Sequence, residues 1–152
     1  NWDPKRWPRD KYAKLSDELI NRYGVKVVIA GAKKDVALAA DIKGMMKNTP
    51  IVSCGETTLK QLAAIFERAS LVIANDTGPM HIASAMKAPL IALFGPTSPR
   101  LTGPYGTGKC TVISRNEKCE VPCYDFTCTD NKCMDEISVE EVIEAADEIL
   151  RK

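Results

Sequence analysis

The chain holds a single histidine, His81. Its formal net charge is only +1, so bulk electrostatics make no case for a nucleic-acid or membrane surface. No apolar stretch approaches the roughly 20 residues needed to span a bilayer. No G-x-G-x-x-G turn follows any predicted strand, which argues against a dinucleotide-dependent oxidoreductase. The cysteines lack the paired C-x2-C spacing of common zinc modules. There is no internal repeat, no low-complexity segment and no visible signal peptide. The abrupt start at Asn1-Trp2-Asp3-Pro4, without a methionine, predicts a cut inside a longer protein.

What remains is an ordinary globular composition. The 152 residues are 45% hydrophobic and 27% charged, enough for one domain with a substantial core. Residues 1–10, with two tryptophans and two prolines, read as an extended linker or domain edge in which Lys5-Arg6 could present a cation to a ligand. Residues 11–152 read as the domain itself. Tyr12 to Tyr23 has helical spacing, with Tyr12, Leu15, Leu19 and Ile20 on one face and Gly24 as C-cap. Apolar runs at 25–30, 51–54, 71–74, 90–94 and 110–114 predict about five strands. Helical segments alternate with them: Val36 to Met46 (Val36, Ala39, Ala40 and Ile42 inward), Leu59 to Phe66, Met80 to Met86 and Val139 to Leu150. Strand–helix alternation of this kind predicts an α/β fold, a doubly wound, Rossmann-like parallel sheet. Leu101 to Gly108 reads as a loop, and residues 115–135 as a cysteine-rich insert.

The most informative stretch is Asn75-Asp76-Thr77-Gly78-Pro79-Met80-His81. It follows a strand and opens a helix, where a parallel sheet places its ligands. Gly78 admits close backbone approach, and Pro79 suits the first helical position. Free N–H groups around Thr77 and Gly78 would face a ligand from the positive end of the helix, favouring an anion such as a diphosphate. Asp76 would cap the helix, orient His81 or accept from sugar hydroxyls. The plainer reading makes Asp76 or Thr77 an N-cap only and His81 a surface residue. Asp35, in the turn Gly31-Ala32-Lys33-Lys34-Asp35, reads as the N-cap of its helix. The Gly95-Pro96-Thr97-Ser98-Pro99 loop should open on the same face or serve as a rigid connector.

Asp76-Thr77-Gly78-Pro79-Met80-His81, followed by Pro89-Leu90-Ile91-Ala92-Leu93-Phe94-Gly95-Pro96-Thr97, resembles the ADP-heptose:lipopolysaccharide heptosyltransferases, glycosyltransferase family 9. Lys5-Arg6-Trp7-Pro8, the Gly31 to Asp35 turn, residues 102–106 and Cys133-Met134 extend the resemblance over essentially the whole chain. It implies one half of a two-domain GT-B enzyme, the C-terminal domain that binds the nucleotide-sugar donor. The acceptor-side domain would lie before Asn1. By that resemblance Asp76, Thr77, Gly78 and His81 contact the donor's phosphates and heptose. Lys5 pairs with a phosphate as a point charge, and Asp35 accepts from the ribose, one methylene shorter than the expected glutamate. Glu56, Thr57 and Thr58 lie near the adenine.

The implied reaction moves heptose from ADP-heptose to a hydroxyl of the lipopolysaccharide inner core, with inversion. His81 and Lys5 would stabilise the departing diphosphate. The general base would come from the other domain, so this chain alone should bind nucleotide weakly and transfer nothing. No metal-ligand carboxylate pair stands out near the central turn, so no divalent ion is expected. The resemblance also implies a cytoplasmic enzyme, peripheral at the inner membrane through its other domain. Cys119, Cys123, Cys128 and Cys133 could hold a tetrahedral zinc, form two disulfides or remain thiols; a staple of some kind ranks above free thiols. The rival readings are a donor domain for another nucleotide sugar and a non-catalytic, metal-stapled interaction module.

Overall fold

A computed structural model describes residues 3–106, 108–115, 119–123, 125 and 127–151. Asp3–Lys5 forms a single 3-10 turn where an extended segment was expected. The elements that follow are α1 (Arg9–Tyr23), β1 (Val28–Ile29), a second 3-10 turn (Lys33–Asp35), α2 (Val36–Met45), β2 (Ile51–Val52), α3 (Leu59–Glu67) and β3 (Val72–Asn75). Then come α4 (Gly78–Ala85), β4 (Leu90–Phe94), α5 (Pro99–Thr102), β5 (Cys110–Ser114), α6 (Lys132–Asp135) and α7 (Val139–Leu150). All pairings among the described strands are parallel. They fall into two sheets, β1–β2 and β3–β4–β5, rather than the single sheet expected. Strand succession thus runs from β1 to β2 in one sheet and from β3 through β4 to β5 in the other.

β4 is the centre of the core because both its faces are covered. Alternate residues of a strand point to opposite sides. Ile91 and Leu93 enter a cluster with Trp7, Leu15, Leu19, Met134, Ile137 and Val142. Leu90, Ala92 and Phe94 enter a second cluster with Leu62, Phe66, Met80 and Ala83. Covering on both faces explains the continuous apolar run of β4, the pattern of a buried parallel strand. The outer sheet is the opposite case. Ile51 is 52% exposed, and Val28 and Val52 also face solvent.

Local signals set the helix ends. Gly24 adopts φ +62° and its N–H bonds to the carbonyl of Ile20, closing α1. Thr58 with Gln61, and Ser138 with Glu141, form reciprocal capping boxes at the starts of α3 and α7. In α2 only Ala39 and Ile42 are buried, whereas Val36 and Ala40 are exposed. That segment has a single covered side, against α1, so its apolar face is narrower than its periodicity implies. Residues 132–135 of the insert are not loop. They form α6, and Cys133 and Met134 belong to the core.

Candidate functional site

The turns beyond β1, β2, β3 and β4 carry nearly all the polar residues singled out above. Central among them is Asp76, which follows β3 and is only 5% exposed. Its Oδ2 accepts from Lys5 Nζ at 2.7 Å and from Thr102 Oγ1 at 3.1 Å. The carboxylate therefore neither caps α4 nor meets His81. It ties together the N-terminal segment, the β3–α4 turn and α5. Next to it, Asn75 Oδ1 accepts from Tyr12 Oη at 2.9 Å. Burial holds the Tyr12 phenol protonated well above its usual range, so this donor role persists at any ordinary pH.

Among the described residues no side chain caps α4. Thr77 occupies the N-cap position in an extended conformation, and its hydroxyl donates back to the Asn75 carbonyl at 3.2 Å. Pro79 has no N–H and the Met80 N–H donates to the Thr77 carbonyl at 3.0 Å, so the Gly78 N–H, which makes no hydrogen bond among the described residues, is the first-turn amide left for another acceptor. A Cβ built on Gly78 would meet nothing within 4 Å, so the backbone there faces open space. His81 is exposed on the first turn of α4, and its ring makes no hydrogen bond among the described residues.

The turn after β1 is built differently. Asp35 does not cap α2 with its side chain. Its Oδ2 accepts from the Ala32 N–H at 3.1 Å and its Oδ1 from Arg6 Nη2 at 3.2 Å. Gly31 makes room for it: a Cβ there would lie 3.0 Å from Cys54 Sγ and 3.1 Å from Asp35 Cβ. The turns of β1 and β2 are joined by the Gly55 N–H donating to the Gly31 carbonyl at 3.0 Å. Burial first, and then the Asp35 charge, push the Cys54 thiol up. Thr58 spends its hydroxyl on the α3 capping box; Thr57 is half-buried beside it and Glu56 is exposed.

Two residues of this face were not among the expected site residues. Thr102 was placed in a loop, but Ser98-Pro99 starts the short helix α5 that carries it to Asp76. Pro99 in a first turn was the available signal. Thr97 Oγ1, after β4, is buried with no hydrogen-bond partner among the described residues. A buried hydroxyl left unpaired costs about 1–3 kcal/mol, so this atom is one that a ligand or water could satisfy.

Neither staple expected of the cysteines is present. All six cysteines are free thiols, and among the described residues no three His, Cys, Asp or Glu side chains are placed to hold a metal. Cys119, Cys123, Cys128 and Cys133 instead line one cavity of about 20 Å³ with Gly95 and Pro96. Packing holds the end of the insert in place. Gly95 admits Met134, whose Sδ would lie 2.5 Å from a Cβ at that position, and the Cys123 N–H donates to the Pro96 carbonyl at 2.7 Å.

The fold and this cluster of polar turns define a Rossmann-like α/β domain, with its candidate site beyond the carboxyl ends of the strands. Residues 1–134 match the model of glycosyltransferase family 9 (heptosyltransferase), and the chain belongs to that family. A curated relative, lipooligosaccharide heptosyltransferase 2 of Haemophilus influenzae, is 39% identical over 113 residues, which are 72% of this chain and 32% of the relative. Among solved structures, a family 9 glycosyl transferase from Veillonella parvula is 34% identical with a TM-score of 0.85. The ADP-heptose lps heptosyltransferase II of E. coli is 30% identical with a TM-score of 0.82. Each alignment covers 97% of this chain and 42% of the other. The E. coli heptosyltransferase WaaC, solved with ADP, shares the fold at 23% identity and a TM-score of 0.73. The chain thus spans less than half the length of these relatives. The α/β expectation holds, and the resemblance read from the central turn is the family found. Among the described residues no helix is long and apolar enough to cross a membrane.

Proposed function

We propose that this chain is the donor-binding half of an inverting heptosyltransferase. The whole protein moves heptose from ADP-heptose to a hydroxyl of the lipopolysaccharide inner core. One observation carries the reading: an uncapped helix start at Thr77-Gly78, open to solvent, stands beside a lysine fixed by a buried aspartate. A free backbone N–H at a helix N-terminus and a nearby ammonium are what a leaving diphosphate requires. Family membership supports heptose as the sugar.

In this reading Lys5, Thr77 and His81 act on the diphosphate. Each stabilises charge that grows as the glycosidic bond breaks, commonly the largest catalytic contribution. Gly78 lets the phosphate approach the backbone. Asp76 is a positioning residue: it aims Lys5 and receives Thr102, and its buried carboxylate leaves it facing protein donors rather than sugar. Asp35 accepts from the ribose, and Thr57 and Thr58 border the adenine. No step of this scheme draws on a bound metal. The base that activates the acceptor hydroxyl belongs to the acceptor-binding domain, and the protein works at the cytoplasmic side of the inner membrane.

The test is calorimetric titration of the chain with ADP and ADP-heptose, against His81→Ala. Loss of a charge-assisted contact should weaken ADP about tenfold. Unchanged affinity in His81→Ala would remove that residue from the site. Absence of binding by the folded wild-type chain would overturn the donor reading. Heptose transfer by this chain alone would overturn the assignment of the base to the other domain.

A further inference from the structure

Lys5 and Arg6 are neighbours in sequence, yet they reach different turns. Lys5 goes to Asp76 beyond β3, and Arg6 goes to Asp35 beyond β1. Around Lys5 the charges cancel, one ammonium to one carboxylate, beside the open Gly78 N–H of α4. Around Arg6 they do not. Its guanidinium bonds Asp3 at 2.9 Å through Nη1 and Asp35 at 3.2 Å through Nη2, so one cation serves two carboxylates. The β3 end suits an anion. The β1 end holds a fixed carboxylate acceptor and suits a hydroxyl donor.

We propose that Arg6 is a positioning residue for Asp35 and that this pair sets recognition of the ribose hydroxyls of the nucleotide. This rests on the donor reading above and deepens it. Asp35 is a short side chain. One oxygen is fixed by the Ala32 N–H, within its own turn. The other is fixed by Arg6, whose backbone is held in turn by the buried, hydrogen-bonded Trp7 beside it. A carboxylate held at both oxygens keeps lone pairs in fixed directions. That fixing offsets the missing methylene, because a pre-aimed short acid need not be ordered by the ligand. Arg6 touches the ligand only through Asp35, since its charge is already taken by two carboxylates.

The chain is titrated with ADP, 2′-deoxy-ADP and inorganic pyrophosphate, as wild type and as Arg6→Ala, Arg6→Lys and Asp35→Asn. Urea unfolding confirms that each variant is folded. Wild type is expected to prefer ADP over the deoxy analogue by about tenfold, the worth of a hydrogen bond to a charged acceptor. In Arg6→Ala and Asp35→Asn that ratio falls toward one through loss of ADP affinity, with pyrophosphate affinity unchanged, and Arg6→Lys recovers part of it. Three results would overturn the inference: a wild-type ratio of one, a ratio that survives Arg6→Ala, or an equal loss for both nucleotides and pyrophosphate, which would make Arg6 a phosphate cation. Wild type binding no ADP at all would instead overturn the donor reading beneath it.

Discussion

Two turns of this domain use the same parts to opposite ends. Each follows a strand, each carries a glycine and an aspartate, and each aspartate takes a cation from the same short N-terminal segment. Beyond β3 the aspartate is buried, its lysine 23% exposed, and the glycine faces open space. Beyond β1 the aspartate is 19% exposed, its arginine 37% exposed, and the glycine is crowded. One turn fixes its acid inside and presents backbone outward. The other crowds its glycine against Cys54 and leaves its acid partly exposed. The lesson is that a strand-end Asp–Gly pattern does not define a role; burial of the carboxylate and crowding at the glycine do.

The largest expected effect breaks the buried pair. Lys5→Met leaves Asp76 buried with only Thr102 as donor. An uncompensated buried charge should cost about 3 kcal/mol, whereas Arg6→Met, at a more exposed pair, should cost about 1 kcal/mol. Urea midpoints at constant slope measure both. Equal losses would mean that burial is not what separates the two turns.

The glycines come next. Alanine at Gly31 must displace Cys54 or Asp35, so Gly31→Ala should destabilise by about 1–2 kcal/mol. Gly78→Ala meets no atom and needs no unusual backbone angle, so stability should stay within about 0.5 kcal/mol. Its effect should instead appear in calorimetry as weaker ADP binding, because the methyl fills the space through which a phosphate reaches the amides. A Gly78→Ala chain that binds ADP like wild type would place the phosphate elsewhere.

Much of this was readable from sequence, for identifiable reasons. The β3–α4–β4 unit stood out because a doubly covered strand must be continuously apolar and Gly78-Pro79 marks a helix start. The helix closing at Gly24 is local, so a local signal sufficed. The partners of Asp76 were not legible, since Lys5 and Thr102 lie 71 and 26 residues away and only the folded sheet brings them together. Asp35 was read as a cap because capping is the local role of such a residue. Its competing bond to Arg6 is tertiary. That the cysteine-rich insert joins the core was not legible, since the space Met134 fills is left by Gly95, distant in sequence.

The smallest effect reads the charge of the β1 turn directly. Cys54 is buried beneath it, its thiol pushed up first by burial and then by the Asp35 charge. A negative neighbour disfavours the thiolate, so removing that charge moves the ionisation back down. In Asp35→Asn the midpoint of the alkylation rate against pH, followed for the Cys54 peptide by mass spectrometry, should therefore shift to lower pH. The shift is partial, because burial is the larger cause and is unchanged. Arg6→Met should shift the midpoint the other way, since it strips Asp35 of its counter-charge, and Asp76→Asn should leave it in place. Comparing midpoints rather than rates separates charge from access, because a change in local opening scales the rate at every pH alike. A midpoint indifferent to Asp35→Asn but moved by Asp76→Asn would reverse the assignment of which turn presents its acid to the thiol.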